Sequence, residues 1–184
     1  MSLIREVILS TIAADGTPHL APLGLISAGR GEWIVAPFHP STTLENLRSI
    51  PEAVANYVDD VRIFAGCLTG RRDWPLLPSA QIRPLRLAGA LAHAELAVIA
   101  VEEDTIRPHF RCRLCFEAMH APFRGFNRAQ AAVIEAAILL SRRHRLPPEK
   151  IAREIEFLTV QVEKTAGAEE AIAWGWLMAA FRQQ

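Results

Sequence analysis

The chain of 184 residues carries no surplus of either charge: 20 Lys and Arg stand against 20 Asp and Glu, for a formal net charge of zero. Without a basic excess there is no electrostatic footprint for DNA or RNA, and nucleic acid is excluded as a first reading. Long hydrophobic runs are missing too. The longest apolar-rich stretch, 131–140, contains Glu135 and falls well short of the roughly 20 residues that a membrane span requires. At the N-terminus, Arg5 is followed at once by Glu6, and the apolar stretch is too short and too interrupted for the h-region of a secretory signal. Cysteine is scarce. Cys67, Cys112 and Cys115 form an odd set with no regular framework, which fits free thiols in a reducing compartment and a cytoplasmic location. Also lacking are a Ser-His-Asp order, a paired-carboxylate signature, a Gly-rich phosphate loop, internal repeats and low-complexity tracts.

What is present, at 51% hydrophobic composition, suffices for one good core, or for a barrel with a small helical subdomain. The first half reads as strands. Arg5 to Ala13 is β-rich, Asp15-Gly16 marks a hairpin turn, and Thr17 to Ser27 resumes as a second strand. Gly29-Arg30-Gly31 makes the next turn and Glu32 to Pro37 a short strand. His39-Pro40-Ser41-Thr42-Thr43 then prepares a helix over Leu44 to Ile50, because hydroxyl side chains there can cap free amides. Pro51 ends it, Ala53 to Val58 reads as a strand, and Val61 to Cys67 as further strand or turn. A loop over 70–75 leads to a strand reading for Ile82 to Val101 and another for Thr105 to Ala118. In the latter Arg111, Arg113 and Cys115 would share one face and Cys112, Leu114 and Phe116 the other.

After Pro122 the period changes. Apolar residues at helical spacing (Val133, Ala137, Leu140) predict a helix from Asn127 to His144, Pro147-Pro148 breaks it, and two more helices follow over Glu149 to Lys164 and Ala168 to Phe181. Strands followed by a run of helices is the α+β pattern. The expected organisation is a barrel domain of residues 1–121 and a C-terminal helical subdomain of residues 122–184.

Three landmarks occur in a fixed order. Leu9 to Gly24 (LSTIAADGTPHLAPLG) forms the opening hairpin, Pro37 to Arg48 (PFHPSTTLENLR) follows a third strand, and Ala53 to Asp60 (AVANYVDD) comes next. Together with Pro122 to Ala129 (PFRGFNRA) at the start of a helix, they resemble the FMN-binding split-barrel superfamily, in particular a branch with a helical C-terminal region. The resemblance runs from about Glu6 to about His144. It implies an antiparallel Greek-key split β-barrel, FMN as cofactor, and a homodimer with the flavin in the groove between protomers. It further implies an oxidoreductase, with NAD(P)H as a candidate electron donor although no nicotinamide-binding motif is present. Two alternatives stay open: a non-catalytic module that binds flavin or haem, and a role in pterin-linked one-carbon metabolism, which the branch's relatives suggest.

The candidate site residues follow from that resemblance and from their own chemistry. Ser41, Thr42 and Thr43 offer hydroxyls and amides to a phosphate at the positive end of a helix, although plain N-capping explains such residues equally well. Asn46 lies one turn further on and can share the face of Thr42 or Thr43. Asn56, in a strand where Asn is depleted, is expected to meet the flavin edge or the ribityl chain, or else to bond a neighbouring loop. Pro22, Leu23 and Gly24 would lay their backbone beside the ring, with Gly24 either allowing close approach or forming a bulge. Asn127 and Arg128 could cap the first C-terminal helix and send a guanidinium toward a phosphate or carboxylate. Further charged candidates are Arg48, Arg71, Arg72, His19 and Glu117.

A zinc site at Cys112-x-x-Cys115 with His109 and His120 is the competing reading. Strand alternation sets the two thiols on opposite faces, and no Gly or Pro lies between them to turn the chain, so no metal is assigned.

Overall fold

The computed structural model describes residues 2–29 and 31–183; Arg30 of the expected Gly29–Gly31 turn lies outside them, as do Met1 and Gln184. The chain divides into two compact units, Met1–Val58 with Trp74–Pro122, and Asp59–Asp73 with Phe123–Gln184.

The first unit is an antiparallel barrel. Strand β1 (Ile4–Ile12) turns into β2 (Pro18–Gly29) through Asp15, whose Oδ1 accepts the amide of Thr17 at 2.9 Å while Gly16 takes φ +89°. That arrangement realises the Asp-Gly turn expected from sequence. Then follow β3 (Glu32–Val35), helix α1 (Thr42–Ser49) and β4 (Glu52–Tyr57). A short ladder of β5 (Leu76–Leu77) and β6 (Arg86–Leu87) precedes the long hairpin of β7 (Ala92–Glu102) and β8 (His109–Met119). The barrel order is β1-β2-β3-β8-β7-β4, so β4 returns to lie beside β1, which is the Greek-key connection. Its core is built from one face of each strand: Val7, Leu9, Leu25, Ala55, Leu96, Phe110 and Cys112 meet Leu44 and Leu47 of α1. Burying each of these larger side chains contributes about 1.5–3 kcal/mol.

Two strand readings need correcting. The expected Ile82–Val101 strand is interrupted: only the short β6 (Arg86–Leu87) precedes β7 at Ala92, because Pro84 has no amide to give a ladder and the chain turns around Gly89. In β8 the alternation holds through Arg113 and then breaks: Leu96 pairs with Leu114 but Glu95 pairs with Phe116, so Cys115 is an extra, bulged residue.

The second unit is helical. Its members are α2 (Arg62–Leu68), α3 (Arg128–Ser141), α4 (Pro148–Thr165) and α5 (Ala168–Arg182), with a 3-10 turn at Arg143–Arg145. Ala129, Ala132, Val133, Ala136, Ala137 and Leu140 line one face of α3 at helical spacing and pack with Leu158, Val162, Ala173 and Leu177. Residues 61–67, read from sequence as strand or turn, are helical instead. Their β-branched and aromatic residues favour a strand locally, but Val61 and Ala65 stand one turn apart and enter this helical core together. Among the described residues no helix is long and apolar enough to cross a membrane.

Candidate functional site

Strand β2 has an open edge. It pairs with β1 from Pro18 to Ile26, but its other side meets β3 only at Ile26, Ser27 and Gly29. Over residues 18–25 the backbone groups turned away from β1 therefore have no strand partner among the described residues, although the six strands close into one barrel. Helix α1 packs against β1 and β2. Helix α1 and the second strand thus lie on the same part of the barrel.

Pro22, Leu23 and Gly24 sit in the middle of this half-open segment, opposite Ile8, Val7 and Glu6. Pairing at Gly24 is regular, so it is not a bulge. A Cβ there would stand 2.8 Å from Ile4 Cγ2, which makes glycine the residue that admits the Ile4 side chain. Ser41 is the N-cap of α1, its Oγ accepting the amide of Leu44 at 3.3 Å. Thr42 is exposed, whereas Thr43 is buried, which leaves Ser41 and Thr42 as the accessible hydroxyls.

Asn46 and Asn56 point inward. Asn46 donates from Nδ2 to Thr11 Oγ1 at 3.0 Å and is buried. Asn56 has no exposed surface; its Nδ2 donates to Ile8 O and Ser10 Oγ, each at 2.9 Å, and its Oδ1 accepts the amide of Leu87 at 2.7 Å. Both amide hydrogens and the carbonyl are thereby engaged with strand residues of β1 and β6, rather than with a flavin edge or a loop as expected from sequence. Asn127 caps α3, accepting from Ala129 and Gln130 and donating to Thr165 O, while Arg128 donates to Gln161 Oε1 at 3.0 Å. Both belong to the helical unit. Of the remaining charged candidates, Arg48 pairs with Glu103 at 2.8 Å, Glu117 is exposed, and Arg71 stacks on Trp176.

One polar cluster went unread in the sequence. Glu95 is fully buried, and its carboxylate accepts the backbone amides of Ala80 and Gln81 at 2.5 and 2.7 Å. His93 Nε2 lies 3.2 Å from Glu95 Oε1, and His93 Nδ1 lies 2.9 Å from His120 Nε2. A buried polar group needs such partners to offset its lost hydration. His120 is held below the usual histidine range by desolvation first, then by the charges of Arg86 and His93. The available signal was His93-x-Glu95, two polar residues on one face of an otherwise apolar strand.

Near the start of α1 a cavity of about 420 Å³ is lined by His39, Glu103, Asp104 and Thr105. Its two carboxylates suit an anion poorly, and the accessible hydroxyls at the helix start are those of Ser41 and Thr42. Among the described residues no group of three or more His, Cys, Asp or Glu could hold a metal ion.

Comparison with known proteins extends this geometry. The family described as "Protein of unknown function (DUF447)" matches residues 5–121 with its N-terminal domain and residues 127–179 with its second domain. No curated protein matches significantly. Among solved structures, the FMN-bound protein MM1853 from Methanosarcina mazei is 21% identical, with a TM-score of 0.84 over 96% of this chain and 94% of its own. The 2-nitrobenzoate 2-nitroreductase NbaA of Pseudomonas fluorescens is 18% identical, with a TM-score of 0.54 over 63% of this chain and 65% of its own. For the styrene monooxygenase flavin reductase SMOB of Pseudomonas putida S12 the values are 17%, 0.51, 62% and 77%. These likenesses bear out the expected α+β split barrel with a helical C-terminal region. Since the two domain matches together span most of the sequence, the chain belongs to the DUF447 family.

Proposed function

We propose that this chain is an FMN-binding flavoprotein, working as an oxidoreductase with the flavin held at the open edge of β2. The observation that carries the reading is the packing of α1, with its capped, hydroxyl-bearing start, against β1 and β2, in a fold shared with an FMN-bound protein over 96% of the chain. The donor set fits the cofactor. Ser41 and Thr42 bring hydroxyls, the first amides of α1 have no intrahelical partner, and the helix dipole favours a phosphate there. Glu45 in the first turn opposes an anion, but it is exposed and its charge is screened by solvent.

Backbone groups of Pro22, Leu23 and Gly24 would bond and orient the ring, and Asn46 would act from behind by fixing α1 to β1. Thr43 would add its amide only. Asn127 and Arg128, engaged within the helical unit, do not carry the proposal. FMN supplies the redox chemistry when bound, and the protein supplies orientation, hydrogen bonds and exclusion of water. We further propose a homodimer that receives electrons from NAD(P)H in the cytoplasm, organised as a barrel domain of residues 1–121 and a helical subdomain of 122–184, with residues 59–73 joining the helices.

The test begins with the absorption spectrum of the purified chain with added FMN. Flavin bands that co-elute with protein and bleach under anaerobic NADPH or NADH support the enzyme; flavin bands without bleaching support a non-catalytic module. A protein that takes up no FMN refutes the reading, and a Soret band would establish the haem alternative. Replacing Ser41 and Thr42 together by Ala should weaken FMN binding by about tenfold or more, the effect of losing charge-assisted bonds to a phosphate.

A further inference from the structure

We propose that His120, His93 and Glu95 form a proton relay, in which the exposed His120 is the port through which the buried His93–Glu95 pair takes up and releases one proton. The ligand of this site is the proton itself, and the site stands independently of the flavin reading.

All three groups belong to the barrel unit. Glu95 has no exposed side-chain surface, and the side chain of His93 is 3% exposed. His93 is closed off at both ring nitrogens: Nε2 lies 3.2 Å from Glu95 Oε1, and Nδ1 lies 2.9 Å from His120 Nε2. A proton can therefore reach His93 only through a partner that already occupies the nitrogen, and of the two partners His120 alone is exposed. The remaining neighbours bring no competing proton. Asn56 of β4, opposite His93 in the ladder, is neutral and fully bonded, and the Phe116 ring lies 5.8 Å from that of His93.

Hydrogen-bond polarity sets the path. The Glu95 carboxylate accepts the amides of Ala80 and Gln81, which favours its ionised form. Hence His93 Nε2–H donates to Glu95, His93 Nδ1 accepts from His120 Nε2–H, and His120 Nδ1 keeps a lone pair. When a proton binds His120 Nδ1, the His120 Nε2–H bond breaks and that proton forms an N–H bond at His93 Nδ1. His120 is then neutral again, as the opposite tautomer, and the positive charge rests on His93 beside the carboxylate.

Charge around the outer ring favours the transfer. Arg86 of β6 acts on His120, and desolvation first, then Arg86 and His93, hold His120 below the usual histidine range. The other charges nearby on the covering segment, Arg83 with Glu52 of β4, satisfy each other. A second proton would set two N–H donors face to face across 2.9 Å, so the histidine pair carries one. Glu95 also holds Ala80 and Gln81, so the relay brings solvent pH to the group that pins residues 78–85.

The test is the histidine 15N spectrum of the full chain between pH 9 and pH 5, with the two rings assigned from His93→Gln and His120→Phe. At the alkaline end both rings should carry a proton on Nε2 and none on Nδ1. On acidification His93 should gain its Nδ1 proton while His120 switches from the Nε2–H to the Nδ1–H tautomer. In His120→Phe, a change at an exposed position, a protonated His93 would bury an N–H without an acceptor, so it should require about tenfold more acid. His120→Gln, whose carboxamide oxygen can accept that proton, should recover most of the loss. The relay is overturned if His120 becomes the imidazolium while His93 stays neutral, or if both rings gain a proton together. It is equally overturned if His93 titrates in His120→Phe as in the wild type. The wild-type tautomer switch decides the matter even where a variant does not fold.

Discussion

Asn46 of α1 reaches across to β1 and donates to the hydroxyl of Thr11 at 3.0 Å, out of contact with solvent. This bond ties α1, whose start is proposed to hold the phosphate, to the strand that pairs with β2. Asn46→Ala should therefore cost about 1–3 kcal/mol, because the buried Thr11 hydroxyl loses its donor. A urea midpoint reads the stability loss. FMN affinity should fall in the same variant, since the start of α1 is no longer held in place; unchanged affinity would show that the helix is positioned by apolar packing alone.

Glu95 is a second internal tie. Its carboxylate holds the amides of Ala80 and Gln81 and thereby pins the loop between β5 and β6 to β7. Glu95→Gln puts an NH₂ where two amides require acceptors, and should destabilise the fold by about 3 kcal/mol. The effect should concentrate locally, so limited proteolysis is expected to cut within residues 78–85 before anywhere else in the barrel. Resistance equal to the wild type would mean that Glu52, which accepts from the amide and Nε of Arg83, suffices to hold the loop.

Acid should weaken the barrel through His120. Its folded pKa is depressed, by desolvation above all, so the folded state binds its proton less readily than the unfolded chain does. The stability linked to it is complete above the ordinary histidine pKa of about 6.5 and is lost as pH falls through the lower folded value. Denaturation midpoints recorded from pH 8 to pH 5 should decline over that window, and His120→Gln should flatten the decline. An identical slope in the variant would assign the acid sensitivity to other groups.

The thiols should react in a fixed order. Burial pushes Cys67 up to about 11 and Cys112 up to about 12, so both remain protonated at pH 8. Cys115 is the half-buried extra residue of the β8 bulge. A disulfide reagent at pH 8 should therefore modify Cys115 first in the native protein, and all three cysteines only after denaturant is added. Fast loss of native Cys67 would contradict the packing described for α2.

Much of the fold was legible because its signals are local. Asp15-Gly16 needs only its own side chain and a positive φ to turn the chain, Ser41 caps α1 from within four residues, and the small residues of α3 repeat at helical spacing. Residues 61–67 were misread for the opposite reason. Their intrinsic preference is extended, and only the helical core against which Val61 and Ala65 pack converts them to helix. The bulge at Cys115 likewise depends on how two strands meet, which no period in a single strand records.

The candidate site divides along the same line. Sequence by itself determined the opening hairpin, the hydroxyl-rich start of α1 and the run of helices after Pro122, since capping, turn chemistry and helical spacing act over a few residues. Tertiary structure alone decided which polar side chains face outward. Asn56 and Asn46 carry the same amide as any surface asparagine, yet bonds to residues 31 to 48 positions away draw both into the interior, while Ser41 and Thr42 remain accessible. Burial is a property of chain packing, and an amide satisfied across strands leaves no trace in its own neighbourhood of sequence.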